Sequence, residues 1–257
     1  MSGGMHDVLI LGSGRSGTSL TAGLLASAGY WMGARLARPN PSNPKGFFED
    51  REVNGINEEL LRPVTPWRPP VLRRVLFRSQ RWLARVPLEV EIGPEAVTPR
   101  LARRMRGVVG QRPLCFKDPR FCYTLEAWRP LLPDAVYVCV FREPSHTAAS
   151  MLRERRERVY LSTLRLDRAR ALEVWRLMYL HVLRRHSRRG RWLFLHYDQV
   201  LRGDGFERLA EHTGAPVDAS FPELELQRSR CADPVPAELE DLYQELCARA
   251  GYDPEKS

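Results

Sequence analysis

Lysine is almost missing from this chain. Of its 40 basic residues only Lys45, Lys117 and Lys256 are lysines, and arginine supplies the rest. The net charge of +9 suggests an anionic partner, but an arginine default on solvated helix faces accounts for much of such an excess. The scarcity makes a lysine inside a motif informative, because it marks a place where a compact, rotatable ammonium is wanted instead of a planar fork. The five cysteines, Cys115, Cys122, Cys139, Cys231 and Cys247, contain no C-x-x-C pair. That argues against a disulfide frame or a cysteine metal site and for reduced thiols in the core. No uninterrupted apolar stretch is long enough to span a bilayer. The opening MSGGMHDVLI has neither a basic n-region nor a cleavage pattern, so the expected location is the cytoplasm. No linker-like composition interrupts residues 1–257 and no internal repeat is visible; one domain is expected.

What is present is an alternation. Short apolar runs at 7–11, 113–116, 135–141 and 192–196 read as buried strands. Helical patterns fall at 17–28, 52–61, 121–132, 144–157, 168–186, 205–213 and 236–249. The fold class is therefore α/β, a three-layer arrangement with a mostly parallel central sheet, whose ligands bind at the carboxyl ends of the strands. Residues 62–112 break the rhythm with RPVTPWRPP and the basic stretch VLRRVLFRSQRWLARV. They read as an inserted helical cap beside the site. A basic amphipathic helix can also rest on a membrane surface, but an ordinary packed helix with a solvated arginine face explains the pattern as well.

Four stretches carry candidate chemistry. In GSGRSGTS, 12–19, glycines and hydroxyls follow a strand and precede a helix, the context in which backbone amides and a helix N-terminus cradle an anion. A nucleoside-triphosphate loop would carry lysine at position 18; this one has Thr18, with its cation at Arg15. A plain βα turn is the bland alternative. In FREPSHTAAS, 141–150, the strand ends in Arg142 where a magnesium-using nucleotidase would place Asp. Ser150, two helical turns on, can share an anion with it; an arginine paired to a neighbouring carboxylate is the other reading. In CFKDPRFC, 115–122, Lys117 stands at a strand end, suited to stabilising a transferring group, with Asp118 as a possible partner. In NPKGFFEDREVNGINEELL, 43–61, Asp50 suits a helix cap. Glu49, beside Phe47 and Phe48, is expected to have its pKa raised by desolvation toward the range of a general base.

In this order the stretches resemble the sulfotransferase family that uses 3′-phosphoadenosine 5′-phosphosulfate (PAPS). GRSGTS is similar to its 5′-phosphosulfate loop and FREPSHTAAS to its 3′-phosphate element. KDPRFCYTLEAWRPLLPDAVYVCVFREP, 117–144, is similar to the versions in tyrosylprotein and bacterial carbohydrate or small-molecule sulfotransferases. LHYDQVL, 195–201, looks like the strand and turn whose tyrosine contacts the nucleotide. The resemblance covers 8–25 and about 113–215 and implies a P-loop-type fold. It implies that Arg15, Ser16, Gly17, Thr18 and Ser19 hold the 5′-phosphosulfate. Arg142, Ser150 and Tyr197 would hold the 3′-phosphate and adenosine, with Arg228 and Arg230 as a last clamp. Lys117 would stabilise the transferring sulfuryl group, and a glutamate, Glu49, would be the base.

The implied reaction is in-line transfer from PAPS to a hydroxyl of a small-molecule, carbohydrate or natural-product acceptor. It leaves adenosine 3′,5′-bisphosphate and requires no metal, nucleic acid or stable membrane association. The competing readings are a P-loop kinase or nucleotidase, and a basic protein that binds nucleic acid or an anionic membrane. Acceptor choice would reside in 30–112, with Trp31, Trp67 and Trp82 as wall residues.

Overall fold

The computed structural model describes residues 4–40, 43–65, 81–157, 166–217 and 233–256. Four parallel strands, β1 (Val8–Leu11), β2 (Cys115–Lys117), β3 (Val136–Phe141) and β4 (Arg191–His196), pair in the order β2-β1-β3-β4. The chain leaves β1 to one side for β2 and crosses to the other for β3. That reversal opens a crevice at the carboxyl end of β1, where open α/β sheets bind ligands.

Both faces of the sheet are buried, as near-continuous apolar strands require. Alternate residues divide between two cores. Leu9, Leu11, Phe116, Tyr137, Cys139 and Phe141 enter the larger one, while Val8, Ile10, Cys115, Val136, Val138 and Val140 enter the smaller. The larger core is covered by α2 (Arg51–Leu61), α4 (Phe121–Trp128), α6 (Arg168–Arg184) and α9 (Ala237–Ala250); the smaller by α1 (Thr18–Ser27) and α8 (Phe206–Thr213). Trp128 and Trp175 are wholly buried in the larger core, each worth roughly 1.5–3 kcal/mol or more by area removed from water. The remaining helices are α3 (Pro99–Val108), α5 (Pro144–Glu157) and α7 (Tyr197–Arg202).

Local signals account for the helix starts. The Asp50 carboxylate accepts from the amides of Glu52 and Val53 at the head of α2. Thr98 caps α3, with Pro99 at its first position, where its missing N–H costs nothing. Asp167 caps α6 by accepting from the Arg170 amide. His196 caps α7, accepting at Nδ1 from the Asp198 amide while Gln199 reaches back to the His196 amide.

The strand and helix expectations hold to within a few residues, with β2 ending on Lys117 itself. The expected cap at 62–112 is described only in part. Residues 66–80, including Trp67 and most of the basic stretch, lie outside the described residues. Among its described residues, 81–83 and 94–96 form single 3₁₀ turns and α3 is a full helix. That helix is tied to α2 by Arg104, which bonds Glu52 at 2.6 Å and Glu59 at 2.7 Å. Four of the cysteines are buried free thiols, and Cys231 lies outside the described residues. No helix among the described residues is long and apolar enough to cross a membrane.

Two histidines are buried in neutral form. His181 sits 3.1 Å from the Val86 and Pro87 carbonyls, and burial lowers its pKa to about 4. Burial likewise lowers His196 to about 4. In the unfolded chain both return to their ordinary value near 6.5. The stability they contribute is therefore complete above pH 6.5 and is lost as pH falls toward 4. The urea midpoint should fall between pH 6.5 and 5, by up to roughly 2 kcal/mol per histidine; a midpoint constant over that window would contradict this burial.

Candidate active site

The loop after β1 is fixed by close backbone approach. Gly12, at φ 145°, lies where a Cβ would fall 2.0 Å from the Val140 carbonyl oxygen of β3. The Ser13 amide donates to the Tyr179 hydroxyl at 3.0 Å, and that hydroxyl donates to the Val140 carbonyl at 2.8 Å. A phenol on α6 thus locks the loop to the sheet. Gly17, at φ 93°, begins α1 against the Tyr197 ring, where a Cβ would sit 2.5 Å from the ring. Gly14 lies equally close to the Trp82 indole. The Ser16 hydroxyl is buried without a hydrogen-bond partner among the described residues. The first amides of α1 have no acceptor within the helix, as at any helix start.

Arg15 adopts φ 71°, a left-handed conformation uncommon outside glycine. Its Nε donates to Ser150 Oγ at 3.1 Å and lies 3.5 Å from Glu154 Oε2 on α5. Arg142, just past β3, is buried with its guanidinium 4.6 Å from the centre of the Tyr197 ring. Burial lowers its pKa, and the neighbouring Arg15 charge acts in the same direction. Arg15, Arg142, Ser150 and Tyr197 therefore gather at one place on the carboxyl edge. Because its Nε bonds Ser150, Arg15 belongs to both the loop and the α5 group, which the sequence treats as separate sites. Two arginines, a buried hydroxyl without a partner and the α1 start suit a ligand with more than one anionic group.

Beside this cluster stands Lys117. Its ammonium is 2 % exposed and donates to Glu49 at 2.5 Å and to Ser19 Oγ at 3.1 Å. Ser19 donates in turn to the Phe47 carbonyl. Glu49 sits at the foot of an excursion whose base is pinned by Ala37 N donating to the Glu49 carbonyl and Arg51 N to the Arg35 carbonyl. Its second carboxylate oxygen accepts from Asn54 Nδ2 at 2.8 Å.

Two expectations are corrected here. Burial does push Glu49 upward, but the charges of Lys117 and Arg120 and the bonds from Lys117 and Asn54 outweigh it, so its pKa is lowered, not raised. Asp118 does not serve Lys117: it accepts from Arg120 at 2.8 Å and from Asn57 at 2.9 Å, and burial raises its pKa. Arg228 and Arg230 lie outside the described residues. Trp82 lies on the loop at Gly14, whereas Trp31 packs against Phe116, 5.7 Å between ring centres, beside the start of β2.

The sequence reading missed the support beneath Lys117. Arg120 is 1 % exposed and bonds Asp118 at 2.8 Å and Glu58 at 2.7 Å. Burial alone would disfavour its charge, but Asp118, Glu58 and Glu49 hold it charged. Glu58 also accepts from the Arg81 amide at 2.8 Å and side chain at 2.9 Å, next to Trp82. Asn57 accepts from Thr124 and the Trp128 indole. The available signal was Asn54, Asn57 and Glu58 at helical spacing on the half of α2 that also carries Val53, Ile56 and Leu61. Glu154, one turn after Ser150, was missed as well.

A parallel α/β sheet with a glycine-rich loop at its switch point, and cations at the ends of β2 and β3, defines a fold of the P-loop type whose carboxyl edge is suited to an anionic ligand. Comparison with known proteins narrows this. A family model described as "Sulfotransferase family" matches residues 7–219, and the chain belongs to that family. The sulfotransferase domain from the Synechococcus PCC 7002 olefin synthase superposes with a TM-score of 0.52 at 18% identity, over 97% of this chain and 96% of that one. A sulfotransferase domain from the curacin biosynthetic pathway gives 0.53 at 15% identity, over 97% and 98%. Sulfotransferase STF1 from Mycobacterium tuberculosis H37Rv gives 0.50 at 14%, over 97% and 77%. These likenesses establish the fold. No protein of curated function gives a significant match. Among the described residues, no group of three or more histidines, cysteines and carboxylates is placed to hold a metal ion.

The Glu58 network supplies a test of this architecture. Glu58→Ala would leave Arg120 buried without one of its two directly bonded carboxylates and release the Arg81 turn. A loss of roughly 3–5 kcal/mol is expected, read as a lowered urea midpoint. A loss below 1 kcal/mol would mean that Arg120 does not depend on Glu58.

Proposed function

We propose that the chain transfers a sulfuryl group from PAPS to a hydroxyl of a small-molecule, carbohydrate or natural-product acceptor. The observation that carries this reading is Lys117, the one described lysine in the core, held at the end of β2 between the Ser19 hydroxyl in the first turn of α1 and the carboxylate of Glu49. Arg15, Ser16, Gly17, Thr18 and Ser19 would hold the 5′-phosphosulfate. Arg142, Ser150 and Tyr197 would hold the 3′-phosphate and adenosine, with Arg228 as a further clamp.

In the reaction, the acceptor oxygen forms a bond to sulfur as the bond from sulfur to the 5′-phosphate oxygen breaks. Glu49 takes the hydroxyl proton, and adenosine 3′,5′-bisphosphate leaves with the bonding pair. Lys117, Arg15 and the loop amides stabilise the charge that develops on the leaving phosphate. The Lys117–Glu49 pair gives this step an order. While paired, Glu49 is charged and a weak base. When Lys117 turns to the sulfuryl group, the largest remaining influence on Glu49 is burial, which strengthens it as a base. A sulfuryl group carries less charge than a terminal phosphoryl group, so fixed donors suffice, consistent with Thr18 at the usual lysine position. At the end of β3, Arg142 stands where a kinase would hold magnesium with Asp. The location is expected to be the cytoplasm, with residues 1–257 acting as one domain.

Thermal melting discriminates among donors. At a hundredfold excess over Kd, adenosine 3′,5′-bisphosphate should raise Tm by roughly 5–10 °C, and ATP with magnesium by much less. A preference for ATP–magnesium would sink the proposal. With radiolabelled PAPS and an acceptor found by screening, Lys117→Ala should lower kcat by ~10²–10³-fold. Full turnover by that variant would remove Lys117 from the mechanism.

A further inference from the structure

Asn54 has a side chain whose two ends are treated very differently. It sits in the first turns of α2, its backbone amide closing the helix onto the Asp50 carbonyl. Its Nδ2 donates to Glu49 Oε2 at 2.8 Å, while its Oδ1 is buried without a partner among the described residues. The orientation is forced by chemistry, because an ionised carboxylate only accepts and must face the amide nitrogen. The carbonyl end is then left in a place that offers it no donor.

Such a residue is a poor choice for folding alone. A buried acceptor without a partner costs stability, and asparagine is a weaker helix former than alanine or leucine. What Asn54 supplies is the second anchor of Glu49. Lys117 holds Oε1 and Asn54 holds Oε2, so the carboxylate is fixed at both oxygens, each of which retains a lone pair. Lys117 must release Oε1 for the sulfuryl group in the proposed reaction, and Asn54 is the anchor that remains.

We propose that Asn54 is a positioning residue that holds the Glu49 carboxylate toward the acceptor hydroxyl when Lys117 turns away, and that it is kept at a cost to the fold. This rests on Glu49 as the base. The groups facing Glu49 are Lys117 at the end of β2, Asp118 and Arg120 on the turn that follows, and Asn54 on α2. Lys117, Arg120 and Asn54 each favour the charged carboxylate. Asn54 does so through a single bond, so its removal has a defined sign.

The test uses the full chain with carbon-13-labelled glutamate, the Glu49 carboxyl signal being assigned by its disappearance in Glu49→Gln. In Asn54→Ala the midpoint of the Glu49 titration should move upward, with the melting temperature unchanged or higher. Asn54→Leu, which removes the amide while keeping bulk, should move it the same way. An unmoved Glu49 titration in both variants overturns the positioning role. So does a melting temperature lowered by several degrees with no change in titration, which would make Asn54 structural. Retained sulfuryl transfer from radiolabelled PAPS by Glu49→Gln would instead overturn the base assignment beneath the proposal.

Discussion

The site depends on one buried guanidinium. Arg120 lies almost out of reach of solvent, three residues after the end of β2, and its charge is tolerable only because Asp118 and Glu58 bond it directly and Glu49 lies near. Burying an ion pair costs several kcal/mol per charge before any attraction is counted. The arrangement is therefore weak evidence for stability and better evidence for position. Asp118 fixes the turn after Lys117, Glu58 fixes α2, and through Arg81 the same carboxylate anchors the turn that carries Trp82. The sheet end, the loop that carries Glu49 and the covering segment are referred to one point.

That reference explains how a mostly irregular segment can shape a site. Glu49 comes from a loop and Ser19 from the first turn of α1, both far from Lys117 in sequence. Glu49 is the residue before the α2 cap, so the Asp50 bonds that start the helix also set the direction of its neighbour. Asp50 accepts as well from the Arg35 amide at 2.8 Å. The backbone around Glu49 is thus bound on both sides before its side chain reaches Lys117.

Much of the fold was legible because buried parallel strands and capped helices write themselves in local pattern. The runs DVLIL and AVYVCVF, the Asp50 cap and the Pro144 helix start needed only neighbours in sequence. The residues proposed to hold the nucleotide were legible for a related reason: Arg15, Lys117, Arg142 and Tyr197 stand at or within a few residues of strand ends, and topology brings strand ends together. Partnerships were less legible. Asp118 is adjacent to Lys117 in sequence, yet Arg120 captured it, since a guanidinium can bond two carboxylates at once and an ammonium at a strand end points elsewhere. The Glu49 pKa went the other way from expectation because two cations from β2 and its turn approach it, and sequence distance conceals that. The Arg15 bond to Ser150 joins residues 135 apart, beyond any local signal.

The contact between Trp82 and Gly14 has a consequence for how relatives of this chain can diverge. An indole from the covering segment occupies the volume in which any side chain at position 14 would have to stand. The glycine-rich loop and the segment over it are therefore a coupled pair, in which a larger residue in one demands a smaller one in the other. Across homologous chains the prevailing signature should be covariation between these two positions, and a graft that exchanges the covering segment alone inherits a steric debt at the loop.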